Sequence, residues 1–186
     1  NSTLRVVVVR NTGGPFDAPG QRPFDLIAFT KDLVQWGNSV KLGLLENGRF
    51  AASPFRGSKV LSWSENLRMY EMARQQGFDE VILLNERGEV AELTSANLFA
   101  VSGTEIATPP LDAGCLPGIT RELLLEEIRI PGYRVAERAL TRADLEAADE
   151  LFITSSTRDT LPVASVDGLK IRFVAPAGGP ARQAAQ

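Results

Sequence analysis

Short runs of aliphatic residues alternate with turn-forming residues along most of the chain, a pattern typical of β-strands. The segment 11–23 is rich in Gly and Pro and is predicted to be a loop. Residues 85–88 form a turn sequence between two apolar runs and predict a hairpin. The predicted strands, in chain order, are 4–9, 25–30, 39–44, 80–84, 89–92, 97–101, 104–107, 133–137 and 149–154.

Residues 64–76 carry a broad apolar stripe at helical spacing and are predicted to form the first helix. Ser62 and Glu65 stand three residues apart before this stripe, as the two partners of a capping box do. Gly77 follows the stripe and provides the usual C-terminal stop. The sequence therefore predicts both ends of this helix.

Further helices are predicted at 119–129, after Thr141 and in the Ala-rich tail 181–186. Thr141 and Asp144 again have the spacing of a capping box, so a short helix is expected to begin there. Few helices are scattered among many strands, which favours an α+β fold built on a mixed sheet.

Composition excludes several classes of function. The chain has 186 residues, of which 44% are hydrophobic and 23% charged, as in a soluble globular domain. Its net charge of −3 and its lack of a basic cluster argue against nucleic-acid partners. No apolar run is long enough to cross a membrane. The single cysteine, Cys115, excludes an internal disulfide framework and favours a reducing compartment, which we take to be the cytoplasm.

The chain contains no histidine. This excludes histidine general bases, histidine-based catalytic triads and histidine metal ligands, and we predict no metal site. The basic residues are sixteen Arg and only four Lys, so a nucleophilic amine has few candidates. Chemistry in this protein must use other side chains or a bound cofactor.

Pro117 and Gly118 form a tight turn that leads directly into the predicted helix 119–129. The first N–H groups of a helix have no intrahelical partner and carry its positive dipole end, and Thr120 adds a hydroxyl. This pattern predicts a phosphate site. An ordinary helix cap is the alternative.

Eight segments occur in order along the chain: 59–63, 77–80, 88–92, 95–99, 108–110, 116–121, 148–152, and 162–163 with 167–168. Together they resemble the class-IV aminotransferases, the fold-type-IV enzymes that use pyridoxal 5′-phosphate (PLP). That family includes branched-chain aminotransferases, D-amino acid aminotransferases and aminodeoxychorismate lyases. The resemblance covers about residues 55–170 with similar spacing.

The resemblance implies the D-amino acid aminotransferase-like PLP fold. Residues 1–186 are expected to form its larger, PLP-binding domain, as part of a longer polypeptide. The small N-terminal domain of the family is expected to be absent from this sequence. Because the family is typically dimeric, the resemblance also implies a homodimer.

Lys59 falls where the family has its Schiff-base lysine, and Glu92 falls where a carboxylate faces the pyridine nitrogen of PLP. An amine can hold the cofactor aldehyde and shuttle a proton, and a carboxylate can keep the ring nitrogen protonated. Without the resemblance, Lys59 would be an ordinary surface lysine. Glu89 is a local rival of Glu92.

The resemblance implies further contacts to the cofactor, while Asn97 is expected to support the fold rather than touch substrate. Leu116 could equally be a core residue, and the hydroxyl run after the strand at 149–154 could be a plain turn. The implied contacts are Leu116 against the ring, and Gly118, Ile119, Thr120, Ser155 and Ser156 near the phosphate.

The implied function is transfer of an amino group between an amino acid and a 2-oxo acid through a lysine Schiff base. Trp63 stands near Lys59, where branched-chain enzymes have a tyrosine, so the branched-chain assignment is not implied. Two alternatives stay open: an aminodeoxychorismate lyase-type PLP lyase, and a non-catalytic module that binds PLP or phosphate.

Overall fold

The computed structural model describes residues 2–12, 16 and 19–171, which divide into two units between residues 35 and 36. The first unit is an antiparallel hairpin of β1 (Ser2–Thr12) and β2 (Pro19–Asp32). Both strands are longer than predicted, so the prediction of a loop over 11–23 is wrong at both of its ends. The middle of that loop, apart from residue 16, and the tail helix predicted at 181–186 lie outside the described residues.

The second unit contains an eight-stranded mixed sheet in the order β5-β4-β3-β10-β9-β6-β7-β8. Strand β3 pairs in parallel with β4 and β10, β7 pairs in parallel with β8, and the other neighbours are antiparallel. Strand β10 was not predicted. The strands are β3 (Val40–Leu45), β4 (Glu80–Leu84), β5 (Val90–Leu93), β6 (Asn97–Ser102), β7 (Glu105–Thr108), β8 (Arg134–Glu137), β9 (Glu150–Ser155) and β10 (Asp159–Val166).

Within residues 36–171, three α-helices accompany the sheet: α1 (Ser64–Gln75), α2 (Ile119–Glu126) and α3 (Arg142–Ala147), with a 3-10 turn at Leu111–Ala113. The capping box predicted for α3 is confirmed. The one predicted for α1 is wrong, because its N-cap is Trp63 and no side chain caps it. Helix α2 ends earlier than predicted. No helix in the described part of the chain is long and apolar enough to span a membrane.

The sheet must be strongly curled. Strands β5 and β6 occupy the first and sixth positions of the sheet, which lie about 24 Å apart when strands are about 4.8 Å apart in a flat sheet. Only residues 94–96 connect these strands, and such a link reaches at most about 14 Å between its flanking Cα atoms. Curling brings the two strands together, and the Leu93 N–H donates to the Ala96 carbonyl at 2.9 Å.

Both faces of the sheet are buried. Ile82, Leu98 and Ile153 belong to the main core on one face, together with residues around α3. Their neighbours in the same strands point to the opposite face, where Leu83 packs in the cluster that includes α1 and Phe99 in the cluster that includes α2. Helices α1 and α2 therefore cover the same face of the curled sheet.

We expect Phe152→Ala to lower the free energy of unfolding by about 3 to 5 kcal/mol, the usual cost of emptying a buried aromatic site. Phe152 is fully buried and its ring stacks on Phe99 at 5.0 Å between centroids. Urea unfolding measures the change. Phe55→Ala is the control, because Phe55 is 70% exposed and should change stability little. Equal effects of the two substitutions would contradict this packing.

Candidate active site

Glu92 is a buried carboxylate on the helix-covered face of β5. It pairs in register with Leu83, which packs under α1. Its Oε1 atom lies 2.9 Å from Nη2 of Arg49, and its Oε2 atom accepts the Leu116 N–H at 3.0 Å. Glu89, the local rival, lies before β5 and accepts hydrogen bonds from Asn85 and Arg87 instead.

Burial raises the pKa of Glu92 above its ordinary value of 4.5. Arg49 opposes this effect most strongly, followed by the Leu116 N–H and the positive charge of Lys59. Glu80 adds a smaller upward influence. Desolvation dominates because the carboxylate has lost most of its water and has gained only one hydrogen bond and one ion pair.

Lys59 lies in the segment between β3 and α1, and its side chain is exposed. Its charge is near enough to Glu92 to lower the pKa of that carboxyl. The preceding segment is fixed by Glu86, whose carboxylate accepts the N–H groups of Ala51 and Ala52 at 2.8 and 3.1 Å. An accessible amine and a buried carboxylate thus occupy one neighbourhood.

Both polar groups of the Leu116 backbone are bound by side chains from the sheet. The N–H donates to Glu92, and the carbonyl accepts from Asn97 Nδ2 at 2.9 Å. Glu92 and Asn97 flank the short link between β5 and β6. We call this arrangement the Leu116 clamp. It fixes the approach to α2 against the two strands that the curl brings together.

Gly118 is the N-cap residue of α2 and packs directly against Asn97. A Cβ atom on Gly118 would overlap Oδ1 of Asn97, so no larger residue fits without a shift. The Glu122 N–H makes the first bond of the helix, to the Gly118 carbonyl at 2.9 Å. The earlier N–H groups, including those of Ile119 and Thr120, therefore have no intrahelical acceptor. Ile119 is 68% exposed, so this positive end of the helix faces outward.

Ser155 ends β9 and Ser156 follows it in an exposed turn. The preceding residue, Thr154, pairs in register with Asn97, which places the end of β9 beside the Leu116 clamp. Among the described residues, Thr154 Oγ1 and Ser155 Oγ are buried without a hydrogen-bond partner. Such orphaned hydroxyls are uncommon in native proteins and favour a missing ligand or water.

A buried ion pair anchors the turn after β9. Arg158 Nη1 lies 3.3 Å from Glu80 Oε2, and Arg158 Nη2 donates to Ser95 Oγ at 3.0 Å. The Arg158 guanidinium also lies 4.0 Å from the ring centre of Trp36, whose indole N–H donates to the Thr157 carbonyl. The hydroxyl turn is therefore tied to the link between β5 and β6.

Sequence reasoning missed Arg49 and Arg158. Each neutralises a buried carboxylate, Glu92 or Glu80, that is far away in the chain. The one available signal was Glu80 itself, because a charge at the start of a fully apolar strand requires a buried partner.

Cysteine and metal chemistry have no support in the described residues. Burial raises the pKa of the Cys115 thiol to about 11, so at neutral pH it is a protonated core residue. No group of three His, Cys, Asp or Glu side chains in the described residues could bind a metal ion.

Comparison with known proteins agrees with this fold. The Escherichia coli K12 branched-chain-amino-acid aminotransferase is 37% identical over 99 residues, which are 53% of this chain and 32% of that protein. The chain spans about a third of the length of the curated relatives of this kind. The solved structure of the E. coli protein has a TM-score of 0.83 and 26% identity, covering 98% of this chain and 63% of that one.

Two further solved structures share the fold. A Legionella pneumophila protein provisionally named 4-amino-4-deoxychorismate lyase has a TM-score of 0.86 and 26% identity, over 99% of this chain and 67% of that one. A Thermobaculum terrenum branched-chain aminotransferase in its PLP form has a TM-score of 0.82 and 25% identity, over 98% and 61%.

These matches confirm the predicted α+β, mixed-sheet fold of the fold-type-IV aminotransferases. The model of one protein family, "Amino-transferase class IV", matches residues 2–166, nearly the whole chain. The chain therefore belongs to the class IV aminotransferase family.

Proposed function

We propose that this chain binds pyridoxal 5′-phosphate and transfers an amino group between an amino acid and a 2-oxo acid. The observation that supports this most is the Leu116 clamp. It links a buried carboxylate, suited to a protonated ring nitrogen, to a helix N terminus, suited to a phosphate. PLP contains both a ring nitrogen and a phosphate group within one small molecule.

The residues present fit this cofactor. Glu92 offers an acceptor in a buried setting, and Lys59 offers an accessible amine whose charge acts on that acceptor. Gly118 leaves the first turn of α2 without a side-chain cap. Ser155 adds a buried hydroxyl with no partner among the described residues. The Thermobaculum protein, which shares this fold, was solved in its PLP form.

Each side chain has a distinct part in the proposed reaction. When bound, the cofactor supplies an aldehyde and a ring that withdraws charge from the substrate Cα atom. Lys59 Nζ would hold the cofactor at its aldehyde carbon, and as a free amine would move the proton at the substrate Cα atom. Glu92 holds a proton on the ring nitrogen. Leu116 packs against the ring, and the N terminus of α2, with Thr120, Ser155 and Ser156, binds the phosphate.

A lyase is the second candidate, because the Legionella structure provisionally named 4-amino-4-deoxychorismate lyase has the same fold. Product assays separate the two. Glutamate formed from 2-oxoglutarate and an amino donor supports transfer, and pyruvate formed from aminodeoxychorismate supports the lyase. A module that only binds PLP would form neither product. The homodimer and the cytoplasmic location stay predictions.

We expect Lys59→Ala to abolish the covalent PLP adduct that borohydride fixes on the protein, because Lys59 is the amine whose charge acts on Glu92. Mass spectrometry of the treated protein measures the adduct and its position. Lys41→Ala is the matched control, since Lys41 is also exposed but its backbone is bound to Asp79 near the start of β4. An undiminished adduct in Lys59→Ala would show that the lysine assignment is wrong.

We expect Gly118→Ala to raise the Kd for PLP by about tenfold to a hundredfold, because misplacing a binding group by about 1 Å has effects of this size. The new methyl group would displace either Asn97 or the start of α2. An absorbance titration measures the Kd. Gly37→Ala is the control, because the nearest atom to its Cβ is 3.7 Å away. Equal Kd values in the two variants would exclude a phosphate-binding site at Gly118.

A further inference from the structure

Among the groups that lower the pKa of Glu92, Arg49 has the largest effect. Its guanidinium is fixed on two sides. Nη2 lies 2.9 Å from Glu92 Oε1, and Nη1 donates to Asn66 Oδ1 at 3.2 Å. The backbone N–H of Arg49 donates to the Leu84 carbonyl at 3.1 Å. The Arg49 and Glu92 side chains are 20% and 12% exposed, so solvent screens the pair only weakly.

Asn66 is itself fixed, and so it restricts the arginine. It lies in the first turn of α1, and its Nδ2 donates to the Thr94 carbonyl at 2.7 Å, two residues after Glu92. The amide therefore spans from α1 to the end of β5 and presents its oxygen to Arg49. A planar guanidinium with both terminal nitrogens engaged has little freedom to rotate.

The pair leaves capacity on the carboxylate for a ligand. A carboxylate has two oxygens with about four acceptor positions in total. Arg49 uses one on Oε1 and the Leu116 N–H uses one on Oε2. A ring N–H can still bind Glu92 without displacing either partner.

Arg49 also keeps its positive charge beside Glu92 when the Lys59 amine is neutral. Lys59 contributes a positive charge only while its amine is protonated, and the proposed function requires that amine as a neutral nucleophile. Arginine stays protonated at any ordinary pH. Glu80 acts in the opposite direction, and Cys115, another titratable group, is itself influenced by Glu92.

We propose that Arg49, fixed by Asn66, is a positioning residue that orients Glu92 and keeps it an anion for the ring nitrogen of the cofactor. The part concerning the ring nitrogen rests on the proposed function. The part concerning the charge of Glu92 does not, because Arg49 contacts Glu92 in the protein alone.

The first test is a pH titration of the Glu92 carboxyl carbon by NMR in protein without added cofactor, with the signal assigned from Glu92→Gln. We expect Arg49→Met to move the titration midpoint of Glu92 to higher pH, because burial then acts with less opposition. Arg49→Lys should give a midpoint between those of Arg49→Met and the unaltered protein, since it keeps the charge but loses the two separate nitrogens that engage Glu92 and Asn66. Arg134→Met is the control, because Arg134 pairs with Glu105 in an exposed position.

Unfolding by urea gives a second reading. A carboxyl whose pKa is raised by folding stabilises the folded state below its unfolded pKa, here 4.5, and loses that contribution as pH rises through the folded pKa. The contribution of Glu92 without Arg49 is the difference in free energy of unfolding between Arg49→Met and the double variant that carries both Arg49→Met and Glu92→Gln. We expect this contribution to be lost over a pH range that extends higher than it does when the unaltered protein is compared with Glu92→Gln.

Affinity for PLP gives a third reading. We expect Arg49→Met to raise the Kd by roughly tenfold, by analogy with the lower end of the loss seen when the hydrogen-bond partner of a metal ligand is removed. A midpoint for Glu92 that is the same in Arg49→Met, Arg49→Lys and Arg134→Met would overturn the inference. If the unaltered protein forms no adduct on Lys59, the proposed function fails instead, and the titration still decides the effect of Arg49 on Glu92.

Discussion

The backbone of Leu116 is the point on which the candidate site depends. Its N–H and carbonyl are each bound by a side chain, Glu92 on one side and Asn97 on the other. The carbonyl also accepts the Gly118 N–H at 2.8 Å, so this half-buried backbone is fixed both from the sheet and from the start of α2. Because Gly118 follows two residues later, the same contacts fix where α2 begins. The carboxylate and the helix N terminus cannot move independently.

The curl of the sheet makes this clamp possible. Glu92 and Asn97 lie on the helix-covered face of β5 and β6, strands that would be far apart in a flat sheet. The short link between them forces the strands together, and the alternation of side chains along each strand directs both residues to the same face. A shift of one residue in the register of either strand would turn its polar side chain into the main core. The site is therefore a consequence of topology and register.

The sequence predicted the features that depend on neighbouring residues. The hairpin turn at 85–88 and the capping box of α3 are local patterns, and the structure contains both. Strand β10 escaped prediction because Pro162 and polar residues interrupt its apolar pattern. The capping box at Ser62 competes with a chain path in which Trp63 is the N-cap. Arg49 could not be paired with Glu92 from sequence, because no local pattern links two residues that meet only through the sheet.

The two buried ion pairs belong to one continuous set of contacts. These run, in order, through Glu92, Arg49, Asn66, Thr94, Glu80, Arg158, Trp36 and Thr157. They extend from the carboxylate to the hydroxyl turn after β9, the two ends of the proposed cofactor site. Fixed polar groups of this kind do not have to reorganise when charge develops on a bound ring, which is how preorganised sites stabilise charge. Arg49, which contacts Glu92, and Arg158, whose backbone N–H donates to the Ser155 carbonyl, thus fix the geometry of the two ends.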